Sequence, residues 1–429
     1  MKKFMLWLSL TLLVMLVWAG LNVASTRHGW FSAVVAPVGD AAAFMAEATR
    51  LVKLEAKGNG IFMLVEGGEV YAEYAYSKGA PVNSNTVFGV ASLGKWLAAV
   101  GVMTLVERGK LDLDAPVSSY LTRWQLPASA YDLDGVTIRR LLSHTAGLTD
   151  GLGHNGFVAK DAVQPLTAHL SQAADADEGV SGRVEVGLAP GSQFKYSGGG
   201  YNLLQLVIEE VSGQSFAAYM QEAVFEPAGM GHTGYDPDEA ALAGTLAEYF
   251  DADGASRTYP YYTSLAATGL YTTGNDLLRF MATQLPDQLA TGSQTKILAA
   301  ATLAQMRRPN ASTMGIDIWG LGVMLFASNN AGDFIVGHGG QSPSLNATLR
   351  INPANGNGFL MLTTGNRALA ADMATRWTLW ETGNPDMYML RNMIPAMLQR
   401  VALGSLLIVV LSLLLAWRSR RSGKWPVRE

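Results

Sequence analysis

The chain has 429 residues, of which 49% are hydrophobic and only 15% are charged, and its formal net charge is −4. This length accommodates one large domain or two ordinary ones, and either buries a sizeable core. Cysteine is absent, which excludes disulfides, thiolate metal ligands and a lipidated cysteine. The near-neutral charge, with no basic run away from the two termini, argues against nucleic acid as a partner.

The N-terminal segment, residues 1–24, predicts a signal peptide or a signal anchor. Lys2 and Lys3 precede an uninterrupted apolar run from Phe4 to Ala19. Positive residues ahead of such a run stay in the cytoplasm. A cleavage site after Ala19 lacks a clean A-x-A pattern, so both alternatives stay open.

A second apolar segment, Val401–Trp417, predicts a transmembrane helix followed by a basic cytoplasmic tail at residues 418–429. A buried core helix is the alternative, but such a helix seldom lacks a polar face over so many residues. With both ends inside, everything from about Ser25 to Arg400 lies outside the cytoplasm. We therefore expect a protein of the cell (inner) membrane with an extracytoplasmic, periplasmic functional domain.

The region between these segments reads as one continuous domain. In chain order, two apolar runs around Glu66–Glu69 predict a β-hairpin, and a helix is expected from about Ser92 to Arg108, ended by Gly109. The stretch "YNLLQLVIEEVSG" predicts an amphipathic helix. After Gly320, four short apolar runs predict an antiparallel meander. Sheet at both ends of a largely helical middle implies that the two ends join in one sheet.

A candidate nucleophile pattern, S-x-x-K, occurs three times: Ser92 with Lys95, Ser192 with Lys195, and Ser293 with Lys296. Spacing alone cannot choose among them. Ser192 follows Pro190-Gly191 and is expected in a turn. Ser293 is interpreted as the N-cap of a surface helix.

Ser92 has an N-cap interpretation as well, but its neighbours favour chemistry. A serine in the first turn of a helix projects toward the residue one turn on, so the Lys95 amine reaches its oxygen. Lys95 is followed by "WLAA", an apolar stretch that predicts burial. A buried amine is costly unless it has a partner or a lowered pKa, and a lysine of lowered pKa activates a nucleophile.

Several ordered blocks extend the pattern beyond Ser92. They are "ASLGKWLAAVGVMTLVERGKLDLDAPVSSYL", "TIRRLLSHTAGL", "PGSQFKYSGGGYNLLQLVIEEVSG", "EPAGMGHTGY", "AATGLYTTGNDLLRF" and "GHGGQSPSLNATLRINP". With these blocks the chain resembles the serine β-lactamase-like family, which includes class C β-lactamases, D,D-peptidases and esterases. The resemblance covers roughly Ala42 to Leu379. It implies an α+β fold in which an antiparallel sheet is flanked by helices and joined by a mostly helical lobe, here within residues 42–385.

The resemblance assigns roles to residues at matching positions. The family's nucleophile and lysine fall on Ser92 and Lys95, and the tyrosine of its second motif, proposed to exchange protons, falls on Tyr196. The asparagine of that motif is replaced by Gly198. No cofactor is implied, and the six scattered histidines show no metal-binding spacing.

The family's third motif, a lysine before threonine and glycine on an edge strand, falls on His338, Gly339 and Gly340. His338 is expected to face the substrate, and the two glycines are expected to leave room for a substrate along the strand. The backbone N–H of Gln341 is implied, with that of Ser92, as the oxyanion hole. His144, in a block without assigned chemistry, is expected to be a buried hydrogen-bonding residue.

These residues predict a membrane-anchored serine hydrolase that cleaves ester or amide bonds of a small-molecule or peptide substrate through an acyl-enzyme. Without the motif's asparagine, and with a histidine that is not reliably cationic, β-lactam recognition should weaken, so an esterase or peptidase is preferred over a true β-lactamase. A catalytically silent protein that binds cell-wall peptides is the first alternative. A transporter or sensor with a regulatory outer domain is the second, although two spans leave no room for a transport path.

Overall fold

The structure is a computed structural model that describes residues 2–30, 32–152, 154–239, 246–286, 289 and 296–421. Its α-helices are α1 Lys2–Arg27, α2 Ala41–Glu55, α3 Gly94–Glu107, α4 Ile138–Leu142, α5 Leu166–Ser171, α6 Gly198–Ser212, α7 Phe216–Met220, α8 Glu226–Ala228, α9 Gly274–Thr283, α10 Ala300–Arg307, α11 Leu369–Thr382 and α12 Met387–Arg421. A π-helical segment, Gln221–Phe225, joins α7 to α8. Short 3-10 turns are Ala91–Leu93, Val117–Ser119, Leu133–Gly135 and Lys160–Ala162.

The strands are β1 Gly60–Glu66, β2 Glu69–Tyr76, β3 Val87–Gly89, β4 Tyr249–Phe250, β5 Ser256–Arg257, β6 Tyr271–Thr273, β7 Ala311–Thr313, β8 Ile316–Trp319, β9 Met324–Ser328, β10 Phe334–Gln341, β11 Leu345–Ile351 and β12 Gly358–Thr364. Eight of them form one antiparallel sheet in the order β2-β1-β12-β11-β10-β9-β8-β7. β1 pairs with β12, with Gly60 opposite Thr363. The prediction that the two ends of the domain join in one sheet is therefore confirmed.

The predicted hairpin, meander and helices form where the patterns place them. Gly67 and Gly68, with φ of 60° and 88°, make the tight turn between β1 and β2, because two-residue hairpin turns of this kind require positive φ. The predicted meander is β9 to β12, and the amphipathic pattern after Tyr201 lies in α6. α3 ends at Glu107, and Gly109 at φ 66° turns the chain away.

Alternate residues of β1 show how the sheet is covered on both faces. Phe62 and Leu64 point into a core shared with α2 and α11. Ile61 and Met63 point the other way, into the larger core with α3, α9 and the helical lobe of α4 to α8. Side chains on a strand alternate between faces, so one strand contributes to both layers. The fold is thus the predicted antiparallel sheet with flanking helices and a helical lobe.

The two apolar terminal helices, α1 and α12, pack against each other. Both are long and apolar enough to cross a membrane by length and composition. A hydrogen bond of 2.6 Å joins the Thr11 and Ser412 hydroxyls, and the Trp18 indole donates to the carbonyl of Arg400 at 3.2 Å. These contacts make the pair antiparallel, so the start of α1 and the end of α12 lie at the same end.

Candidate active site

Ser92 lies in a 3-10 turn that feeds directly into α3. Ala91 has a φ of 46°, which is uncommon for a residue other than glycine. Neither this turn nor α3 has a side-chain N-cap hydrogen bond. The N-cap interpretation therefore does not account for Ser92, whose hydroxyl is left for another role.

Lys95 is the buried amine next to this hydroxyl. The residue is 1% exposed, and its Nζ lies 3.0 Å from Oγ of Ser92 and donates to the carbonyl of Ala267 at 2.5 Å. The rings of Tyr196 and Tyr201 approach the amine at 5.2 and 5.5 Å. Burial lowers the pKa of Lys95 to about 7, against the opposing influence of the Asp150 charge.

The backbone around Tyr196 is held from both sides by His144. The N–H of Lys195 donates to the His144 carbonyl at 2.8 Å, and the N–H of Ser197 donates to His144 Nδ1 at 3.1 Å. The rings of His144 and Tyr196 stack with centroids 4.3 Å apart. Ser197 is the N-cap of α6 and its hydroxyl donates to Asp150. His144 is thus the buried hydrogen-bonded residue expected, and it also positions Tyr196.

Tyr196 and Ser92 line the same cavity, and their side chains interact. The residue as a whole is 42% exposed, yet the hydroxyl is the buried end, and burial raises the pKa of Tyr196 even though the Ser92 contact lowers it. Burial therefore favours a neutral amine at Lys95 and a neutral phenol at Tyr196. A phenolate beside an ammonium, which the sequence permits, is the less favourable pair of charge states.

His338 stands on β10 beside Ser92. β10 pairs with β9 only as far as Gly337, whereas it pairs with β11 through Gln341. His338 is 1% exposed, its Nδ1 donates to the Gly339 carbonyl at 2.7 Å, and its Nε2 has no partner among the residues that the structure describes. Burial and the Lys95 charge lower the pKa of His338 to about 3, so the ring is neutral near neutral pH.

The two glycines after His338 have different surroundings. A Cβ atom on Gly340 would lie 1.8 Å from the carbonyl oxygen of Val90, next to the turn that carries Ser92. A Cβ on Gly339 would meet only the carbonyl oxygen of Ala347, at 3.5 Å. Gly340 is therefore required by close packing of β10 on the nucleophile turn. This is a different reason from the space for substrate that the sequence predicts.

Gly198 stands in place of the motif's asparagine, and the space beside it is occupied by a side chain from elsewhere in the chain. A Cβ atom there would lie 1.7 Å from Nε2 of His154. His154 is held through Nδ1 by the Ser264 hydroxyl at 3.1 Å, and Ser264 accepts from the Asn202 amide at 2.9 Å. Burial lowers the pKa of His154 to about 3, with a further contribution from the Lys95 charge. Nothing in the local sequence of His154 signals this position.

A cavity of about 720 Å³ joins these groups. Ser92, Tyr196 and Gln341 are among its lining residues. The first residues of α12, including Tyr388 and Arg391, also line it. No pattern in the sequence indicates that the C-terminal helix contributes to the cavity.

The other copies of the S-x-x-K pattern are elsewhere. Ser192 is exposed in a turn, as predicted, where its N–H donates to the Ala189 carbonyl at 3.1 Å. Ser293 lies outside the described residues, so its predicted N-cap role is not observed. Within the described part of the chain, no group of three or more His, Asp or Glu side chains is arranged to hold a metal ion.

Comparison with known proteins finds the same family over most of the chain. The family model Beta-lactamase matches residues 48–383. A penicillin-binding protein of Bacillus subtilis (strain 168) is 35% identical over 188 residues, which cover 41% of this chain and only 37% of that relative. Penicillin-binding protein 4 of Amycolatopsis lactamdurans is 28% identical over 301 residues, or 68% of this chain and 75% of that protein. The solved structure of the octameric penicillin-binding protein homologue from Pyrococcus abyssi shares the fold, with a TM-score of 0.63 at 23% identity over 79% of this chain and 76% of its own.

Proposed function

The chain belongs to the beta-lactamase family of serine hydrolases, and on this premise we propose that it hydrolyses ester or amide bonds through an acyl-enzyme on Ser92. The observation that carries the proposal is the buried amine of Lys95, with a pKa of about 7, at 3.0 Å from Oγ of Ser92. An enzyme that uses a general base near neutral pH needs a group of such a pKa within hydrogen-bond reach.

In the proposed acylation, the neutral Lys95 amine takes the Ser92 proton while Oγ attacks the substrate carbonyl. The attack forms the Oγ–C bond and places the negative charge on the carbonyl oxygen. The backbone N–H groups of Ser92 and Gln341 are the proposed donors to that oxyanion. Close packing of Gly340 on the Val90 backbone supports this assignment, because it fixes β10 against the turn that carries the nucleophile.

Collapse of the tetrahedral intermediate breaks the bond to the leaving group, which needs a proton. Tyr196 is the proposed donor, since its phenol is protonated near neutral pH and its interaction with the Ser92 side chain places it beside the reacting oxygen. The Lys95 ammonium, close to Tyr196, returns a proton to the phenol oxygen. Water then attacks the acyl-enzyme by the reverse sequence, which releases the acid and restores Ser92.

For the substrate, we propose an ester or peptide in preference to a β-lactam. The neutral ring of His338 offers no cation to a substrate carboxylate, and Gly198 offers no side-chain amide. In place of that amide stands His154, held by Ser264. Cationic recognition of a β-lactam carboxylate is therefore weak in this site.

We further propose that the hydrolase domain, residues 42–385, is held at the outer face of the inner membrane. The support is the pair of apolar helices α1 and α12, which run antiparallel. In this arrangement residues 1–24 serve as a signal peptide or anchor, residues 401–417 cross the bilayer, and the tail at 418–429 is cytoplasmic.

A labelling experiment tests the chemistry. The purified full chain is treated with a fluorophosphonate and with a labelled penicillin, and the modified peptide is identified by mass spectrometry. We expect fluorophosphonate on Ser92, no label on Ser192, and slow or no reaction with penicillin. Fast, stable acylation by penicillin without ester turnover would instead identify a protein that captures cell-wall peptides, and absence of any label would reject Ser92 as a nucleophile.

A further inference from the structure

We propose that the substrate is a membrane amphiphile whose long acyl chain occupies the end of the active-site cavity formed by α12. This inference rests on the proposed function of Ser92 and adds the class of substrate to it. It is carried by the lining of the cavity and by the way α12 is attached to the domain.

The cavity has an apolar patch next to α12. Met324 and Phe326 line the cavity and contact Tyr388, and Met387 of the same helix lines it as well. Asp372 and Thr375 also line the cavity, outside this patch. A peptide bound along this lining would leave amide groups without partners, which is costly, whereas a methylene chain has no such groups.

Arg350, a buried cation of this wall, is neutralised within the protein. Arg350 is 1% exposed and forms an ion pair of 2.5 Å with Asp386. It also donates to the Thr378 hydroxyl at 2.7 Å, and its guanidinium lies 3.7 Å from the ring centre of Phe326. These internal partners neutralise the charge of Arg350, and Phe326, with one face against the guanidinium, still lines the cavity.

The ion pair also fixes the start of α12 to the domain. Only residues 383–386 separate α11 from α12. Asp386 accepts from the Thr375 hydroxyl at 2.7 Å and from the N–H of Met389 at 2.8 Å. Because this connection is short and is held by these contacts, the domain cannot rotate away from the start of α12. The cavity therefore stays at a fixed distance from the apolar segment.

An apolar surface leads from the cavity to that segment. Asn392, the last residue of α12 in the lining, precedes Val401 by nine residues, or about 14 Å along the helix. The stretch between them carries Met393, Ile394 and Leu398, of which Leu398 is 58% exposed. Arg391 and Asn392 themselves are exposed.

The test uses the full chain reconstituted in phosphatidylcholine vesicles and a series of p-nitrophenyl esters with acyl chains of increasing length. We expect kcat/KM to rise at least tenfold from short to long chains, with no turnover above background for Ser92→Ala. A flat or falling series, or faster cleavage of peptide amides than of any acyl ester, would overturn the inference.

Two substitutions on the same helix turn distinguish binding in the cavity from the partitioning of long-chain esters into the vesicles. Met387→Trp fills the apolar end, whereas Met389→Trp changes a residue that does not line it. The ratio of long-chain to short-chain kcat/KM should fall at least tenfold in Met387→Trp and stay unchanged in Met389→Trp. Equal ratios in the two variants would contradict the inference.

Two further measurements keep the outcomes separate. Thermal unfolding verifies that both variants fold, and if Met387→Trp does not, the chain-length series of the unaltered protein still decides. Hydrolysis of short esters that depends on Ser92 but shows no chain-length preference would overturn the acyl-chain site and leave the proposed function intact. No labelling and no hydrolysis of any ester would overturn both.

Discussion

The same four-residue pattern occupies two described regions of this molecule with opposite results. Ser92 and Lys95 lie at the start of a buried helix, with the amine 3.0 Å from the hydroxyl. Ser192 and Lys195 lie in an exposed turn and in the segment that leads into α6, where the backbone N–H of Lys195 donates to the His144 carbonyl. The difference between the two pairs shows that burial and helix geometry, rather than spacing, bring a serine and a lysine together as a reactive pair.

The first test of this difference removes each hydroxyl in turn. Ser92→Ala should lower ester hydrolysis by about 10³-fold or more, because no other group can form the acyl-enzyme. Ser192→Ala should leave turnover unchanged. The measurement is kcat/KM on activated esters with thermal unfolding as a check on folding. Unchanged turnover in Ser92→Ala would refute the mechanism.

The second test removes each lysine amine in turn. Lys95→Met should lower kcat/KM by about 10²- to 10⁴-fold, the usual contribution of a general base, while Lys195→Met should have no effect. The melting temperature of Lys95→Met should stay equal or rise, since the folded state no longer holds a buried amine. A large loss of stability would instead assign Lys95 a structural role.

The third test asks whether the turn that carries Ser92 must pack closely against β10. Gly340→Ala forces a Cβ into the Val90 carbonyl and should lower kcat by about 10- to 10²-fold and stability by about 1–3 kcal/mol. Gly339→Ala is the matched control, because its Cβ would meet only one atom, at 3.5 Å. Steady-state kinetics and chemical denaturation of both variants measure the difference. Similar losses in the two would argue against a specific contact.

The smallest effect concerns pH. The Lys95 amine accepts a proton only when neutral, and its pKa is about 7, so the fluorophosphonate labelling rate should rise about tenfold from pH 6 to pH 8 and then level off. An ordinary exposed lysine would give a rise that continues to pH 10. A rate that falls with rising pH across this range would contradict a neutral amine as the base.

Local patterns were sufficient for much of the fold. The β1–β2 hairpin, the meander and the helix after Ser92 each follow from turn glycines and apolar periodicity within a few residues. The resemblance brought Tyr196 and His338 to the same place, and the structure puts both beside Ser92. These predictions succeed because the information for them lies in contiguous sequence or in ordered blocks.

The rest of the site depends on contacts between distant segments, which no pattern reports. His154 fills the space above Gly198, 44 positions along the chain, and Tyr388 lines the cavity. The close packing of Gly340 was not predicted either, because the atom that excludes a side chain there belongs to Val90. Charge states also depend on distant contacts. Burial lowers the pKa of Lys95, and the S-x-x-K spacing alone does not show how deeply the amine is buried.

The four residues between α11 and α12, together with the Arg350–Asp386 ion pair, have a kinetic consequence. In the proposed arrangement, with α1 and α12 in a bilayer, the active site would travel at constant depth, so the enzyme and the proposed amphiphile would meet by diffusion in two dimensions. Their encounter rate then depends on the mole fraction of substrate among the lipids, not on its concentration per volume. Addition of inert lipid to the same vesicles should slow turnover by surface dilution, while addition of water should not.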